Sequence, residues 1–519
     1  MSNIFNYGSS HLSIGTALDI ASRKVKGVID ADAAEKIQNS WREVEKIVHA
    51  GQAVYGINTG FGPLCDTRIS EADTSLLQSN LLKSHSVGVG NPIPQEIAKL
   101  MMICKVQALA QGFSGIALAT LERIIWHIDN DIIPVVPEKG SVGASGDLAP
   151  LAHLFLPLIG FGEVFEKGER LPAGKVLASH SLQPLVLGPK EGLALINGTQ
   201  FILAFAIKAV QRLDDALNRA DLIGALSLEG LMGSARPFDE RLHQLRPYKG
   251  TKLVAKRLHT LLKDSEICNS HVNCDRVQDP YSLRCMPQVH GASRNAWLHL
   301  KELTEIELNS VTDNPIVFNA EDTISGGNFH GQPLAMVLDY ATIAAAELGN
   351  IADRRCYLMS EGRYGLPKLL INNAGLNSGL MIPQYTTAAL VTENKTLCFP
   401  ASADSVPTSL GQEDHVSMGS ISGRKLNQVI DNLEYIQAIE LLYAAQAINF
   451  RRPLRSTAVV EACHALVREH VSFIDDDRIL SDDINALHKI ITDGSFLALA
   501  NNTATAHQIN LNDDEFGIY

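Results

Sequence analysis

Apolar residues along the chain recur at helical spacing almost from its start. Ile37, Trp41, Val44 and Val48 fall four, three and four residues apart, which places them on one face of an amphipathic helix. Ser70 followed three residues on by Asp73 has the form of a capping box, and Leu76, Leu77, Leu81 and Leu82 carry the helix it would start toward Ser84 and His85. His85 is therefore expected near a helix end. Phe201 to Leu213, Leu334 to Ala352 and Leu426 to Ile448 are apolar on every side and predict long helices buried inside a bundle. Alternating strand patterns are scarce and short, the best being Ile132 to Val136 and Gly162 to Phe165.

These patterns predict a mainly α protein, a long central helix bundle with a smaller mixed region and small strand pairs near the N-terminal third. No low-complexity linker, long Pro/Gly/Ser run or fixed-period repeat divides the 519 residues. A boundary near residue 200, between a domain of residues 1–200 and a bundle domain of residues 201–519, is accordingly soft. The polar tail from Asn501 to Tyr519 is expected to be loose. The most apolar runs stop short of a membrane span, Leu154 to Gly160 being cut by Pro157 and Gly160, and Phe201 to Val210 carrying Lys208. The opening MSNIFNYGSSHLS lacks the basic cluster and unbroken apolar core of a secretory signal. A soluble protein without a membrane partner is the expectation.

With 45% hydrophobic residues the chain can bury a large core. Its 44 lysines and arginines against 57 aspartates and glutamates leave a net charge of −13, which gives a nucleic-acid backbone little reason to bind. A small polar substrate is the easier fit. The eight cysteines, at 65, 104, 268, 274, 285, 356, 398 and 463, form no C-x-x-C pair and no dense disulfide pattern, as suits a reducing cytoplasm. The 17 histidines include no H-x-x-x-H or H-E-x-x-H cluster, so no metal is expected. The acidic run Asp475 to Asp477 is short and isolated, and reads as a solvated helix entry.

The segment Gly140-Ser-Val-Gly-Ala-Ser-Gly-Asp147 places three glycines three apart. A tight turn or helix entry is the plain reading. A phosphate cradle is a second, but no Gly-Lys-Ser/Thr ending or strand–turn–helix unit accompanies it. A third reading is chemical. In Ala144-Ser145-Gly146 the glycine nitrogen is the least hindered amide available, and a bend could drive it onto the Ala144 carbonyl carbon to close a five-membered ring. Loss of water from that ring, and of a second water from the Ser145 side chain, leaves a 4-methylidene-imidazol-5-one with an electrophilic exocyclic carbon. On three residues alone the turn reading would prevail.

Further along, Gly143-Ala-Ser-Gly-Asp-Leu-Ala-Pro-Leu-Ala-His153 resembles the signature of the histidine and phenylalanine ammonia-lyase family. More blocks agree in order: Tyr55-Gly-Ile-Asn-Thr-Gly-Phe-Gly62, Glu191-Gly-Leu-Ala-Leu-Ile-Asn-Gly-Thr199 and Gln278-Asp-Pro-Tyr-Ser-Leu-Arg-Cys285, then Asn309-Ser-Val-Thr-Asp-Asn-Pro315, Gly327-Asn-Phe-His330 and Gln412-Glu-Asp-His-Val-Ser-Met418. The resemblance runs from about Val54 to about Gln446 and implies a mainly helical fold, a homotetramer with a central helix bundle, and active sites built from several subunits. It also implies that the ring forms from Ala144-Ser145-Gly146, with no external cofactor, and takes the substrate amine.

By the same resemblance Tyr55 matches the general base, and its phenol would need a lowered pKa to work near neutrality. Arg284 matches the carboxylate clamp, since its planar fork can donate two parallel hydrogen bonds. Asn197 would donate to the ring or the substrate carboxylate, Tyr281 and Gln278 would hydrogen-bond around the ring, and Phe329 would pack beside it. Lyases for phenyl or phenol rings usually carry glutamine where this chain has Glu413. A buried carboxylate can accept from an imidazole N–H, whereas a phenyl ring offers nothing to offset its desolvation. Glu413 thus favours L-histidine. His85 would hold the other imidazole nitrogen, although some tyrosine lyases keep histidine there for a phenol hydroxyl. Glu413 could share in proton transfer with Tyr55, and a tyrosine ammonia-lyase or an aromatic 2,3-aminomutase stays open as an alternative.

Overall fold

The computed structural model describes residues 3–50, 54–60, 62, 67, 69–70 and 73–519. Phe61 and Cys65 lie outside the described residues. The three apolar stretches fall within three long helices, Gln200–Gly230, Gln332–Ser360 and Gly419–Asn449, the last packing along both of the others. Met286–Leu308 and Lys249–Leu262 complete the bundle.

Each long helix runs past the apolar stretch that predicted it because its polar residues find partners inside the bundle. Asp221 is fully buried, and it accepts from Arg294 Nη2 at 2.6 Å, Arg257 Nε at 2.8 Å and His290 Nδ1 at 2.9 Å. Burial alone would raise its pKa, yet the surrounding Arg294, His290 and Arg257 hold it well below the usual carboxylate range. A buried carboxylate stripped of such donors would cost several kcal/mol, on the order of 3 to 5.

Ala31–Ala50 forms as its spacing predicts, with Ile37, Val44 and Val48 buried. Thr74–His85 ends on His85 as expected, but its start differs. Ser70 Oγ and Asp73 Oδ2 bond to each other at 2.6 Å, so the pair closes a turn ahead of the helix, and Asp73 takes the N-cap position with no side-chain cap bond of its own. Leu76 is exposed, whereas Leu81 and Leu82 are buried.

The two predicted strands pair with each other. Ile133–Pro134 runs antiparallel to Glu163–Glu166, with Ile133 opposite Phe165, and Glu163–Glu166 pairs in turn with Glu169–Pro172. Asn3–Asn6 lies parallel to Val25–Val28, Val89–Pro92 pairs with Pro137–Lys139, and Ile316–Val317 pairs with Thr323–Ile324 well beyond the N-terminal third.

Two expectations are corrected. The tail is not loose: Leu511 and Phe516 are buried, Arg257 donates to the Leu511 carbonyl, and Phe516 stacks on Trp297. Its last residues reach the N-terminal helix Ile14–Ala21, where Gly15 N donates to Ile518 O at 2.8 Å and Tyr519 Oη to Asp19 Oδ2 at 3.2 Å. Two isolated apolar anchors carry no periodicity, so the sequence pattern does not reveal them. Asp477 likewise binds the Ser378 and Gly379 amides, at 2.7 and 2.8 Å, instead of only facing water. The Gln332–Ser360 helix is long and apolar enough to cross a membrane, yet 72% of its most apolar window is buried inside the protein.

Candidate active site

The glycine loop ends in a bend held from two sides. Ser145 and Gly146 both take positive φ, 49° and 82°, and Gly146 lies against Gly198 as a short parallel bridge. Gly198 N donates to Ser145 O at 3.3 Å and Asp147 N to Gly198 O at 2.8 Å. A β-carbon at Gly146 would sit 2.2 Å from Gly198 O, so only glycine fits. On the other side Met418 N donates to Val142 O at 3.0 Å and Ser420 Oγ to Ser141 O at 2.7 Å.

Behind the bend, Asp147 is fully buried and accepts from the Phe201 and Ile202 amides, each at 3.0 Å, capping the first turn of Gln200–Gly230 from a distance in sequence. Burial raises its pKa to about 7, although these amides and Ser141 Oγ oppose the shift. The free amides of that helix end thus point at the carboxyl of the residue that follows Ala144-Ser145-Gly146.

Glu413 meets this bend directly. Its Oε1 accepts from Ser145 Oγ at 2.8 Å, and its Oε2 from Ser409 Oγ at 2.6 Å and Thr408 Oγ1 at 3.2 Å. His85 lies within the field of Glu413. Its Nδ1 donates to Leu81 O at 2.9 Å, which fixes the hydrogen on that nitrogen and leaves Nε2 as an acceptor. Burial lowers the His85 pKa, against the Leu81 carbonyl and the Glu413 charge, so the ring is neutral at neutral pH.

Asn197 ends the short helix Glu191–Ile196 one residue before Gly198, and its buried Oδ1 has no hydrogen-bond partner. The half-buried Phe329 belongs to a turn that packs here too, since the next residue, His330, bonds through Nε2 to His415 O at 3.2 Å. Tyr55 sits in a turn whose Gly56 lies against Leu193 on the Asn197 helix, and its hydroxyl accepts from Gly62 N at 3.4 Å.

Gln278, Tyr281 and Arg284 are elsewhere in the same chain. Asp279 accepts from Ser234 N at 2.7 Å, just beyond the C-terminal end of Gln200–Gly230, and Leu283 packs with Leu222 to Leu231 on that end of the helix. Asp147 holds the opposite end. A helix of 31 residues separates the two groups by about 45 Å. Tyr281 is exposed, with the Arg284 guanidinium 4.4 Å from its ring centre, and Arg284 Nε donates to Asp279 O at 3.0 Å. Gln278 and Arg284 line a cavity with Arg276, Cys285 and Gln288 that does not include Ser145.

Sequence reasoning passed over the groups beneath the bend. Lys105, fully buried on the Gln95–Leu109 helix, donates to Asn197 O, and Lys190 Nζ bonds Asp313 Oδ2 at 2.6 Å. A lysine inside the apolar run Met101–Leu109 was the available signal. Among the described residues, no group of three or more His, Cys, Asp or Glu is placed to hold a metal, and the seven described cysteines are free.

A bundle of long helices that frames an Ala-Ser-Gly bend defines one class of protein: the chain belongs to the aromatic amino acid lyase family, whose profile matches residues 12–469. Within that class it is 49% identical over 498 residues to the histidine ammonia-lyase of Sorangium cellulosum, an alignment that covers 94% of this chain and 97% of that one. It superposes on the histidine ammonia-lyase of Trypanosoma cruzi with a TM-score of 0.89 and 40% identity, covering 96% and 95% of the two chains. The tyrosine aminomutase of Streptomyces globisporus shares the fold at a TM-score of 0.92 and 33% identity, covering 99% and 100%.

Proposed function

We infer that this chain is a histidine ammonia-lyase, which eliminates ammonia from L-histidine and releases urocanate, with an electrophile made from its own Ala144-Ser145-Gly146. The observation that carries the reading is Glu413, a carboxylate bonded to Ser145 Oγ and sharing its surroundings with His85. A carboxylate acceptor suits a ring that bears an N–H donor and leaves a phenyl ring unmatched.

The bend fits the cyclised tripeptide. Positive φ at Ser145 and Gly146 folds it back on itself, Gly146 has no room for a side chain, and Asn197 Oδ1 is a buried polar atom without a partner beside it. A 4-methylidene-imidazol-5-one there supplies an electrophilic carbon that makes the substrate amine a better leaving group. The chain's own residues do the rest. Tyr55 takes the β-proton, with Glu413 near enough to the imidazole to share in that transfer. Asn197 hydrogen-bonds at the ring, Phe329 packs beside it, and His85 orients the imidazole.

Gln278, Tyr281 and Arg284 enter from a second copy, since their own chain holds them at the far end of Gln200–Gly230. Arg284 clamps the substrate carboxylate with two parallel bonds, while Gln278 and Tyr281 hydrogen-bond around the reactive carbon. Support for a homotetramer comes from Gln332–Ser360, whose exposed stripe of Met336, Tyr340, Ile343, Glu347, Arg354 and Tyr357 follows a seven-residue repeat suited to a neighbouring helix. The assembly works in the cytoplasm and needs no nucleic acid, membrane or metal.

Intact mass together with ultraviolet absorbance on L-histidine and on L-tyrosine tests this reading. A chain two waters lighter than its sequence that makes urocanate is the expected result. An unmodified mass would remove the electrophile, and turnover of tyrosine alone, or release of a β-amino acid, would move the enzyme to the tyrosine lyase or aminomutase reading. Glu413→Gln is expected to lower histidine turnover by about a hundredfold while still losing two waters relative to its own sequence. Unaltered turnover would take Glu413 out of the substrate pocket.

A further inference from the structure

None of the roles above uses Lys105. Its Nζ donates to the backbone carbonyl of Asn197 and lies 3.5 Å from Gln200 Oε1. The peptide group that contains the Asn197 carbonyl also contains the Gly198 N–H, and that N–H donates to the Ser145 carbonyl at 3.3 Å. A cation at the oxygen end of a peptide group polarises it and strengthens its N–H as a donor, most of all where water is excluded. Charge on Lys105 is thereby felt at the Ser145 oxygen through one rigid peptide. Gly198 is fixed in place, because its carbonyl accepts from Asp147 N at 2.8 Å and a β-carbon there would meet Gln200 Oε1 at 2.6 Å.

We propose that Lys105 is a positioning residue that polarises the Asn197–Gly198 peptide, making its N–H a charge-stabilising donor to the Ser145 carbonyl oxygen. The proposal rests on the reading of residues 144–146 as the source of the electrophile. Once the Ser145 side chain has lost water, its β-carbon is conjugated with the Ser145 carbonyl, and electron density from an adding amine is drawn toward that oxygen. A donor aimed at the oxygen favours the addition.

The charges around Lys105 make the device sensitive to pH. Burial lowers its pKa to about 7, Asp313 and Asp147 favour the ammonium, and Lys190 opposes it. Lys190 is itself bonded to Asp313 at 2.6 Å. Raising the pH through neutrality therefore withdraws the polarising charge.

The test compares the wild type with Lys105→Arg and Lys105→Met. Intact mass comes first: a wild-type chain that has not lost two waters defeats the electrophile reading, and this proposal falls with it. Given the mass loss, the near-ultraviolet band of the cyclised tripeptide is followed from about pH 6 to about pH 9. The wild-type band is expected to shift as Lys105 loses its proton, and the band of Lys105→Arg to lack that component, because guanidinium stays charged while Asp147 is common to both. In Lys105→Met, kcat is expected to fall about tenfold or more with KM little changed, and Lys105→Arg to keep most activity. Identical spectral titrations in the wild type and Lys105→Arg would overturn the proposal, and this comparison decides alone if Lys105→Met fails to fold. Wild-type kcat in a folded Lys105→Met would overturn it equally.

Discussion

At position 146 a single methyl group decides whether the bend can exist, since it would lie 2.2 Å from the Gly198 carbonyl oxygen and the residue already has φ of 82°. Gly146→Ala is therefore expected to fold its helices yet keep the full sequence mass, with circular dichroism and intact mass as the paired measurements. A lighter chain would show that the bend tolerates a side chain. A second residue-scale effect concerns His127, whose pKa burial lowers to about 4, and whose Nδ1 donates to Ile132 O at 3.0 Å. Its pKa is lower folded than unfolded, so its contribution to stability is present above about pH 6.5 and is lost as pH falls toward 4. His127→Asn is expected to lose less melting temperature than the wild type between about pH 7 and about pH 5. Equal losses would show that His127 does not couple to unfolding.

Among the helices, Gln332–Ser360 serves two faces at once. Its inner face carries Leu334, Leu338, Ala341, Ala345 and Leu348, all buried, while Met336, Tyr340 and Ile343 lie outside. A charge introduced at Ile343 leaves the inner face intact and opposes association. Ile343→Asp is expected to give smaller assemblies by light scattering, with activity falling in parallel; an unchanged particle size would place the contact elsewhere. The C-terminal strap makes a different demand. Phe516 is buried against Trp297, and Phe516→Ala is expected to lower stability by about 3 kcal/mol in denaturant titration, whereas a loose tail would give no change.

Across the whole molecule, the Gln200–Gly230 helix places Asp147 with the Ser145 bend at one end and the Asp279–Arg284 segment at the other. If sites are completed between copies, Glu413→Gln and Arg284→Ala subunits each lack one half of a site. Co-expressed, the two are expected to form mixed assemblies in which some sites receive both intact halves and recover activity. Inactive mixtures of folded, fully assembled subunits would confine each site to one chain. The recovered activity should grow with the fraction of mixed assemblies seen by native mass spectrometry.

Local physics made much of this readable from the sequence. The all-round apolar runs became the three long helices because nothing but a packed interior can cover such surfaces, and the ordered blocks from Tyr55 to Met418 carried the family likeness. His85 at a helix end and short strands at Ile133–Pro134 and Glu163–Glu166 followed from spacing alone, while the pairing of those strands did not. Contacts between distant segments left no such trace. Nothing in the order of residues shows that Lys105 reaches the Asn197 carbonyl, that Asp147 caps a helix starting at Gln200, or that Leu511 and Phe516 anchor the tail. Nor does it show that Arg284 stands a helix length away from Ser145 in its own chain. Periodicity and motif spacing record what a residue does within a few turns of backbone, so the sequence by itself determined the helices and the bend, and the class of chemistry came through the resemblance of its ordered blocks to a family. Which buried charges meet, and that Ser145 and Arg284 lie at opposite ends of one helix, depends on packing in three dimensions, and only the tertiary structure decided it.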